Sequence, residues 1–560
     1  MDTFSAASRT ANLERMAQEP FDVLVIGGGI TGAGVALDAA TRGYSVALVE
    51  RNDFASGTSS KSTKLAHGGI RYLPQFDFAL IHEALIERGR MLENAPFLVR
   101  PIRFVLPIYQ QDRHPVGLPV TLPGGLGIGL VLDIGLWLYD LLAGKHNIAR
   151  HQRINRQEAL KLAPSLQPEG LKEAFLYYDA QLDDARLTLS TLRTAARWNA
   201  AVANHAEVIG FEQKGGWLSA ARVRDRLTGR EFSLQARHFV NAGGVFAERI
   251  EALTGAEPQI EVQPSKGAHL VVLRKQVRVL DDAIVLPETE DQRIVFVIPW
   301  ESRALIGTTD TSGGDLDHPV ASDEDIAYLL RHVNRYLDVR LTREHVLSTY
   351  AGYRPLVRSR DKTQGKNLSR THAVIESKLG LISIVGGKLT TWRRMAQDTV
   401  DRLALRDNRS LVHPTEHLPL LGAECWQEAR MELQRRGEKM GLGEASIEHL
   451  GLYYGSEALN ILDLIDQDRK LGQPLVADLP YLRAEVVHAC RVEMTLTLED
   501  MLARRTRIAI EDHLRGVEVA AEVAHLMAVH LGWSAGQKRE QVSAYRAWAS
   551  KEGLAEAASV

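Results

Sequence analysis

The residues best suited to chemistry in this chain are the glycines of GGGITGAG at positions 27–34. Gly27, Gly29 and Gly32 fit the spacing GxGxxG. The first glycine makes a tight turn, the second lets the backbone approach a diphosphate, and the third permits close packing of helix on strand. A three-glycine string decides little in a chain with 45 glycines, so its surroundings must decide. FDVLVI at 21–26 is a short apolar run that ends in these glycines, and VALDAATRG then carries a helical pattern into a second apolar run, YSVALVE at 44–50. This order predicts strand, glycine turn, helix and strand, the opening of a doubly wound parallel sheet. The first amides of the helix, at Ile30 and Thr31, then face an anion with the positive end of the helix dipole. Glu50 ends the second strand 18 residues past Gly32 and can accept two ribose hydroxyls, where a 2'-phosphate would be repelled.

Nicotinamide and flavin dinucleotides share this fingerprint, so the following residues must separate them. ERNDFASGTSSKSTKLAHGGIRYL at 50–73 is rich in small and hydroxyl side chains, with Lys61, Lys64, His67 and Arg71 interspersed. It is suited to lying along an extended dinucleotide, although the same composition describes a solvated Ser/Thr loop. The candidate cofactor contacts here are Arg51, Thr58, Ser59, Ser60, Ser62, Thr63, Lys64, Leu65, His67, Gly68 and Gly69. Two later apolar runs also end in glycine, and the family resemblance given below places them beside the dinucleotide. VNAGGVFA contributes Ala242 and Gly243 at the end of an apolar run, and LISIVGGK at 381–388 ends in Gly387 and Lys388 before Leu389, Thr390 and a helical pattern.

Composition bounds what these elements can serve. A chain of 560 residues with 45% apolar and 24% charged side chains is globular and large enough for two or three domains. Its 67 basic and 70 acidic residues leave a formal charge of -3, which excludes a global field for nucleic acid or anionic lipid. Cys425 and Cys490 alone form neither a disulfide framework nor a zinc cluster, and a reducing compartment is expected. The first twenty residues lack the apolar core of a secretory signal, so a cytoplasmic protein is expected. One stretch raises a membrane question, LGIGLVLDIGLWLYDLLA at 126–143. Asp133 and Asp140 share one face of it as a helix, a costly arrangement in lipid, and a buried or domain-interface helix is the expectation.

β-rich runs at 270–274 and 294–299 point to a separate antiparallel layer, and after about residue 410 a proline-bearing connector leads into helical patterns. The predicted class is α/β plus α, with a Rossmann-type dinucleotide-binding domain, a separate antiparallel-sheet domain and a C-terminal helical domain; the family resemblance described next makes these an FAD-binding and a substrate domain. The division is 1–20 as an N-terminal extension and 21–408 as the region that the resemblance below identifies as the oxidoreductase. A substrate domain is inserted in that region at about 100–180 and 260–350, and 409–560 is the helical domain.

GGGITGAGVALDAATRG, ERNDFASGTSSKSTKLAHGGIRYL, VNAGGVFA, PSKGAHLVV, IGTTDT, AGYRPL and IVGGKLTTWRRMA together closely resemble the FAD-dependent glycerol-3-phosphate dehydrogenases, over about residues 21–400. The tail around Glu493, Met494, Thr497, Asp500 and Arg504 to Arg507 is similar to that family's C-terminal domain. The resemblance implies a flavoenzyme that oxidises sn-glycerol 3-phosphate to dihydroxyacetone phosphate and passes electrons to ubiquinone or menaquinone. It implies peripheral attachment to the cytoplasmic face of the inner membrane, with a homodimer as the candidate assembly. His269 is its candidate general base, although a histidine in a strand-like run is more often structural. Arg354 is the cation for the developing alkoxide. Arg71, Tyr72, Arg370 and Lys388 are the candidate phosphate contacts. The segment from Gly387 to Thr390 would offer amides to the flavin ring. The lead before residue 20 and the apolar segment near 123–144 depart from the family's pattern. Two readings compete: an oxidase of the same fold that produces hydrogen peroxide, and a non-catalytic flavin-binding interaction protein.

Overall fold

The computed structural model describes residues 4–75, 77–112, 126–289, 291, 293–359 and 372–553. FDVLVI forms the strand Phe21–Ile26, and Val23, Leu24 and Val25 are wholly buried, as an interior strand covered on both faces requires. It pairs in parallel with Val46–Val49 on one side and Glu231–Asn241 on the other. Ala201–Ala203 extends the sheet beyond Val46–Val49, and Leu381–Val385 extends it beyond Glu231–Asn241, both in parallel. The strands that start the chain and the strand that closes the region thus share one sheet across more than three hundred residues. Helices Ile30–Thr41, Asp184–Arg197 and Trp392–Arg406 pack together on one face of it.

The second sheet is mostly antiparallel and has ten strands among the described residues. Its longest pairing joins Ile260–Leu273 to Val346–Ser359, with Ser265 opposite Arg354 and His269 opposite Tyr350. Arg103 to Tyr109 and Ala174 to Tyr178 lie in a second long pair, Arg100–Tyr109 with Leu171–Gln181. The short strand Leu65–Ala66 joins its edge, which draws the hydroxyl-rich segment from the first sheet to the second.

From Phe4 to Gln18 the lead is integral to the first domain. Helix Ala6–Gln18 buries Leu13 and Met16, and Arg9 donates to the Asn204 carbonyl at 2.9 Å while pairing with Asp225 at 2.5 Å. Phe4 packs its ring on Phe54.

Helix Leu126–Ala143 corrects the expectation of a buried or interface helix. Only one face is buried, through Ile128, Leu132, Leu136, Tyr139 and Ala143. Leu130, Ile134, Trp137 and Leu141, at the complementary helical spacing, are 57, 61, 63 and 67% exposed. The helix is long and apolar enough to cross a membrane by length and composition. Its two aspartates flank rather than oppose the apolar stripe, and His151 ties them together at 3.1 Å to Asp133 and 2.7 Å to Asp140. The sequence pattern located the acidic face correctly, but apolarity on both remaining faces does not say which one finds a partner.

From Trp426 onward the chain folds into helices around their own core, including Leu450, Ile461, Leu462, Val486 and Met527. This domain meets the first through buried ion pairs. Arg504 and Arg505 both reach Asp53 at 2.6 Å, Arg186 grips Glu493 at 2.6 and 2.9 Å, and Arg507 grips Asp183 at 2.7 Å. Arg504 and Arg505 lie in a wide helical turn at Asp500–Arg505. Removing one partner of such a pair strands a buried charge, so the tail that resembles the family's C-terminal domain is an interface as well as a domain.

Candidate functional site

A cavity of about 720 Å³ runs between the two sheets, a volume suited to a large organic cofactor and a small substrate. At one end lies the glycine turn, whose three glycines have different local reasons. Gly27 adopts φ +113°, and a Cβ there would lie 2.6 Å from the Ala242 carbonyl oxygen. At Gly32 a Cβ would lie 1.9 Å from the Gly27 carbonyl oxygen, so this glycine seats the helix and does not line the cavity. Gly29 faces the cavity, and a Cβ there meets only the Ser59 hydroxyl, at 3.0 Å. Ile30 and Thr31 follow on the wall at the helix start, the Ile30 N–H donating to Ser59 Oγ at 2.9 Å. The tight turn at Gly27 and the close packing of helix on strand at Gly32 therefore have a geometric basis in this chain.

Glu50 also lines the cavity. Its carboxylate accepts the Gly28 and Asn52 N–H groups at 2.7 and 2.8 Å, and burial raises its pKa above the usual carboxylate value. Two backbone donors leave acceptor capacity for hydroxyls. Arg51 is committed at the rim, stacked 4.0 Å over Phe246 and paired with Asp317. Ala242 and Gly243 close this end of the wall.

The hydroxyl-rich segment divides by orientation. Thr58, Ser59, Ser62, Thr63, Leu65 and His67 line the cavity. Thr58 donates to the Tyr353 carbonyl at 2.6 Å, and His67 exchanges backbone hydrogen bonds with Thr390 Oγ1 at 3.1 Å, tying this segment to the far wall. Ser60 and Lys64 are turned inward and do not line the cavity. Lys64, with φ +59°, is wholly buried and binds Asp184 at 2.7 Å. Gly68 and Gly69 likewise lie behind the wall. Gly69, at φ +87°, lets the chain fold over Tyr72, whose ring a Cβ at Gly69 would meet at 2.4 Å.

At the other end Gly387, Lys388, Leu389 and Thr390 form the wall ahead of helix Trp392–Arg406. The Lys388 ammonium lies 3.9 Å over the Tyr72 ring, which joins two of the four candidate phosphate contacts. Arg71 lies in the turn Ile70–Gln75, its side chain outside the described residues, as is Arg370 altogether.

His269 and Arg354 enter the same cavity from paired strands. The His269 ring stacks on Tyr350 at 4.6 Å with planes 7° apart, and its Nε2 lies 3.0 Å from Thr63 Oγ1. Nδ1 has no hydrogen-bond partner among the described residues. Gly307 makes room for the ring, since a Cβ there would lie 2.1 Å from His269 Cδ2. Burial, then the positive charges of Arg354 and Lys64, hold the imidazole pKa well below its ordinary value, so the ring is neutral at pH 7 and able to accept a proton. Arg354 is held by the Thr309 carbonyl at 3.2 Å, the Ser265 and Thr308 hydroxyls at 3.3 Å and Asp310 at 3.4 Å. A Cβ at Gly267 would lie 2.8 Å from its guanidinium, so the glycine of PSKGAH opens the space that Arg354 fills.

Sequence reading missed Tyr350, Gly307, Asp310 and Asp184. IGTTDT held a signal for Gly307 and Asp310 as part of the resemblance, without a role. Tyr350 and Asp184 carry no local motif.

Residues 22–393 match the family of FAD dependent oxidoreductases, and residues 413–538 match the C-terminal domain of alpha-glycerophosphate oxidase. Glycerol-3-phosphate dehydrogenase 2 of Mycobacterium bovis is 40% identical over 557 residues, covering 98% of this chain and 92% of the relative. The mitochondrial glycerol-3-phosphate dehydrogenase of Rattus norvegicus is 37% identical, covering 96% of this chain and 74% of its own length. The structure of the glycerol-3-phosphate dehydrogenase from Bacillus halodurans complexed with FAD superposes with a TM-score of 0.79 at 30% identity, over 98% of both chains.

Proposed function

Because this chain belongs to the FAD-dependent glycerol-3-phosphate dehydrogenases, we propose that it oxidises sn-glycerol 3-phosphate to dihydroxyacetone phosphate and delivers the electrons to membrane quinone. The observation that carries the substrate reading is one cavity bearing a neutral histidine, an arginine fixed beside it, and the Lys388–Tyr72 pair. FAD, when bound, supplies the hydride acceptor. The protein's part is to hold the phosphate at Lys388 and Tyr72, take the C2 hydroxyl proton on His269, and offset alkoxide charge with Arg354. Gly29, Ile30 and Thr31 would hold the diphosphate, Glu50 a ribose, and Gly387 to Thr390 the ring. The decisive experiment is anaerobic mixing with glycerol 3-phosphate, with glycerol and alanine as controls. Bleaching of the flavin by glycerol 3-phosphate alone is expected, and bleaching by alanine instead, or by none of the three, defeats the substrate reading.

The acceptor reading is supported by the apolar stripe of helix Leu126–Ala143, with Trp137 on it and Lys145 and Arg150 exposed just beyond. Aromatic and basic residues around an apolar helix face suit the boundary between headgroups and acyl chains on the cytoplasmic side. A doubly substituted Ile134→Ser/Trp137→Ser protein is expected to leave the membrane fraction while its anaerobic flavin reduction stays unchanged. Retention of the variant on membranes excludes this face. A wild-type protein found wholly soluble, with oxygen uptake matching substrate use, makes it the peroxide-producing oxidase.

A further inference from the structure

The charged cluster behind the base is not used by the chemistry above, and it joins the catalytic wall to the C-terminal domain. Asp184 is the first residue of helix Asp184–Arg197 and is wholly buried. Its Oδ2 accepts the Ser62 N–H at 2.9 Å, and its Oδ1 takes the Lys64 ammonium at 2.7 Å and the Arg507 guanidinium at 2.5 Å. One carboxylate therefore pins the chain on both sides of Thr63. The intervening Thr63 hydroxyl is the group that meets His269 Nε2 at 3.0 Å. The same short segment holds the other face of the base, because the Ser62 carbonyl accepts the Tyr350 hydroxyl at 3.1 Å and Tyr350 stacks on the His269 ring. Arg507 is itself anchored by Asp183 at 2.7 and 3.0 Å, so the clamp is closed from the second domain.

We propose that Asp184, closed by Arg507, is a positioning residue for the oxidation: it fixes Thr63, and through Thr63 the ring pose and tautomer of His269. The inference rests on His269 as the base. Hydrogen-bonded supports behind a reacting group hold it within a fraction of an ångström, and misplacement by about 1 Å costs roughly a hundredfold in rate. Loss of the clamp should therefore act on the rate of proton removal and leave the phosphate contacts at Lys388 and Tyr72 as they are. It also makes the C-terminal domain part of the catalytic apparatus.

The test uses the full-length holoenzyme and reads flavin content, the Michaelis constant for glycerol 3-phosphate and the saturated rate of anaerobic flavin reduction. Asp184→Asn and Thr63→Val should each lower that rate, expressed per bound flavin because Thr63 also lines the cofactor cavity, by about tenfold to a hundredfold with the Michaelis constant near wild type, and Thr63→Ser should restore most of it. If Asp184 acts through Thr63, the two losses are not additive, and the double variant is about as slow as the slower single one. Asp184→Asn removes a buried charge, so Thr63→Val, which leaves the ion pairs intact, decides the matter should the first fail to fold. Thr63→Val at the wild-type rate, or losses that multiply in the double variant, overturns the proposal. A wild-type rate in His269→Ala is a different failure, that of the base assignment itself.

Discussion

His269→Ala is expected to slow flavin reduction by glycerol 3-phosphate at saturation by roughly a hundredfold to ten-thousandfold, the range that a positioned general base supplies. The imidazole is buried, lies 3.0 Å from Thr63, and is held neutral by its surroundings, so it is ready to take a proton without first losing one. Charge at the C2 oxygen appears only as the hydride leaves, and an interaction made only then changes the rate more than the binding. Lys388 offers the contrast. A phosphate contact is made about equally in ground and transition states, so Lys388→Ala should chiefly raise the Michaelis constant. Stopped-flow reduction across a substrate titration separates the two effects without any quinone present. A wild-type limiting rate in His269→Ala hands the proton to a bound water and leaves Arg354 as the principal activating group.

The glycine turn was legible because the strand, turn and helix that carry it are contiguous in sequence. Phe21–Ile26, Gly27 to Gly32 and helix Ile30–Thr41 follow one another in sequence, and Gly32 answers to Gly27 within the turn, while the contacts of Gly27 with Ala242 and of Gly29 with Ser59 come from segments further along the chain. The antiparallel layer was legible from its β-rich runs, and the helical tail from its spacing. Convergence was not. Thr63 and His269 are 206 positions apart, and Lys388 reaches Tyr72 only because Leu381–Val385 closes the first sheet while Leu65–Ala66 joins the second. The resemblance grouped Lys388 with Tyr72 where composition and periodicity could not, and it did not foresee Thr63 beside His269. Lys64 shows the limit of reading contacts from a run of suitable residues. A left-handed backbone at that position turns its ammonium to Asp184, and the positive charge acts on His269 from behind the wall. For Asp184 itself nothing in the sequence distinguishes a support for the base from an ordinary helix start, since the proposed role lies in what two distant segments, 62–64 and Arg507, donate to it.

Gly29→Val and Gly32→Val are expected to fail in different ways, which separates holding the cofactor from holding the fold. Gly29 has an extended backbone, with φ -77° and ψ 178°, that valine adopts without strain, and its Cβ would touch only the Ser59 hydroxyl. Its remaining methyl groups would then project into the cavity beside the Ile30 amide, where the second glycine of this turn lets a diphosphate come close. The Gly29→Val protein should therefore be folded and stable but almost colourless. At Gly32 the added Cβ would fall 1.9 Å from the Gly27 carbonyl oxygen, inside the contact between helix Ile30–Thr41 and the strand before it. Backbone atoms at Gly27 have nowhere to go, because that residue is itself held at φ +113° against Ala242. Gly32→Val should accordingly lose flavin together with the first domain's stability, by more than the 1–3 kcal/mol usual for overpacking. Visible flavin absorbance, circular dichroism and the thermal midpoint, measured on both proteins, separate the two outcomes. Full flavin occupancy in Gly29→Val would refute the placement of the diphosphate at this turn, whereas a folded, thermostable Gly32→Val would show that the helix can withdraw from the strand without losing the sheet.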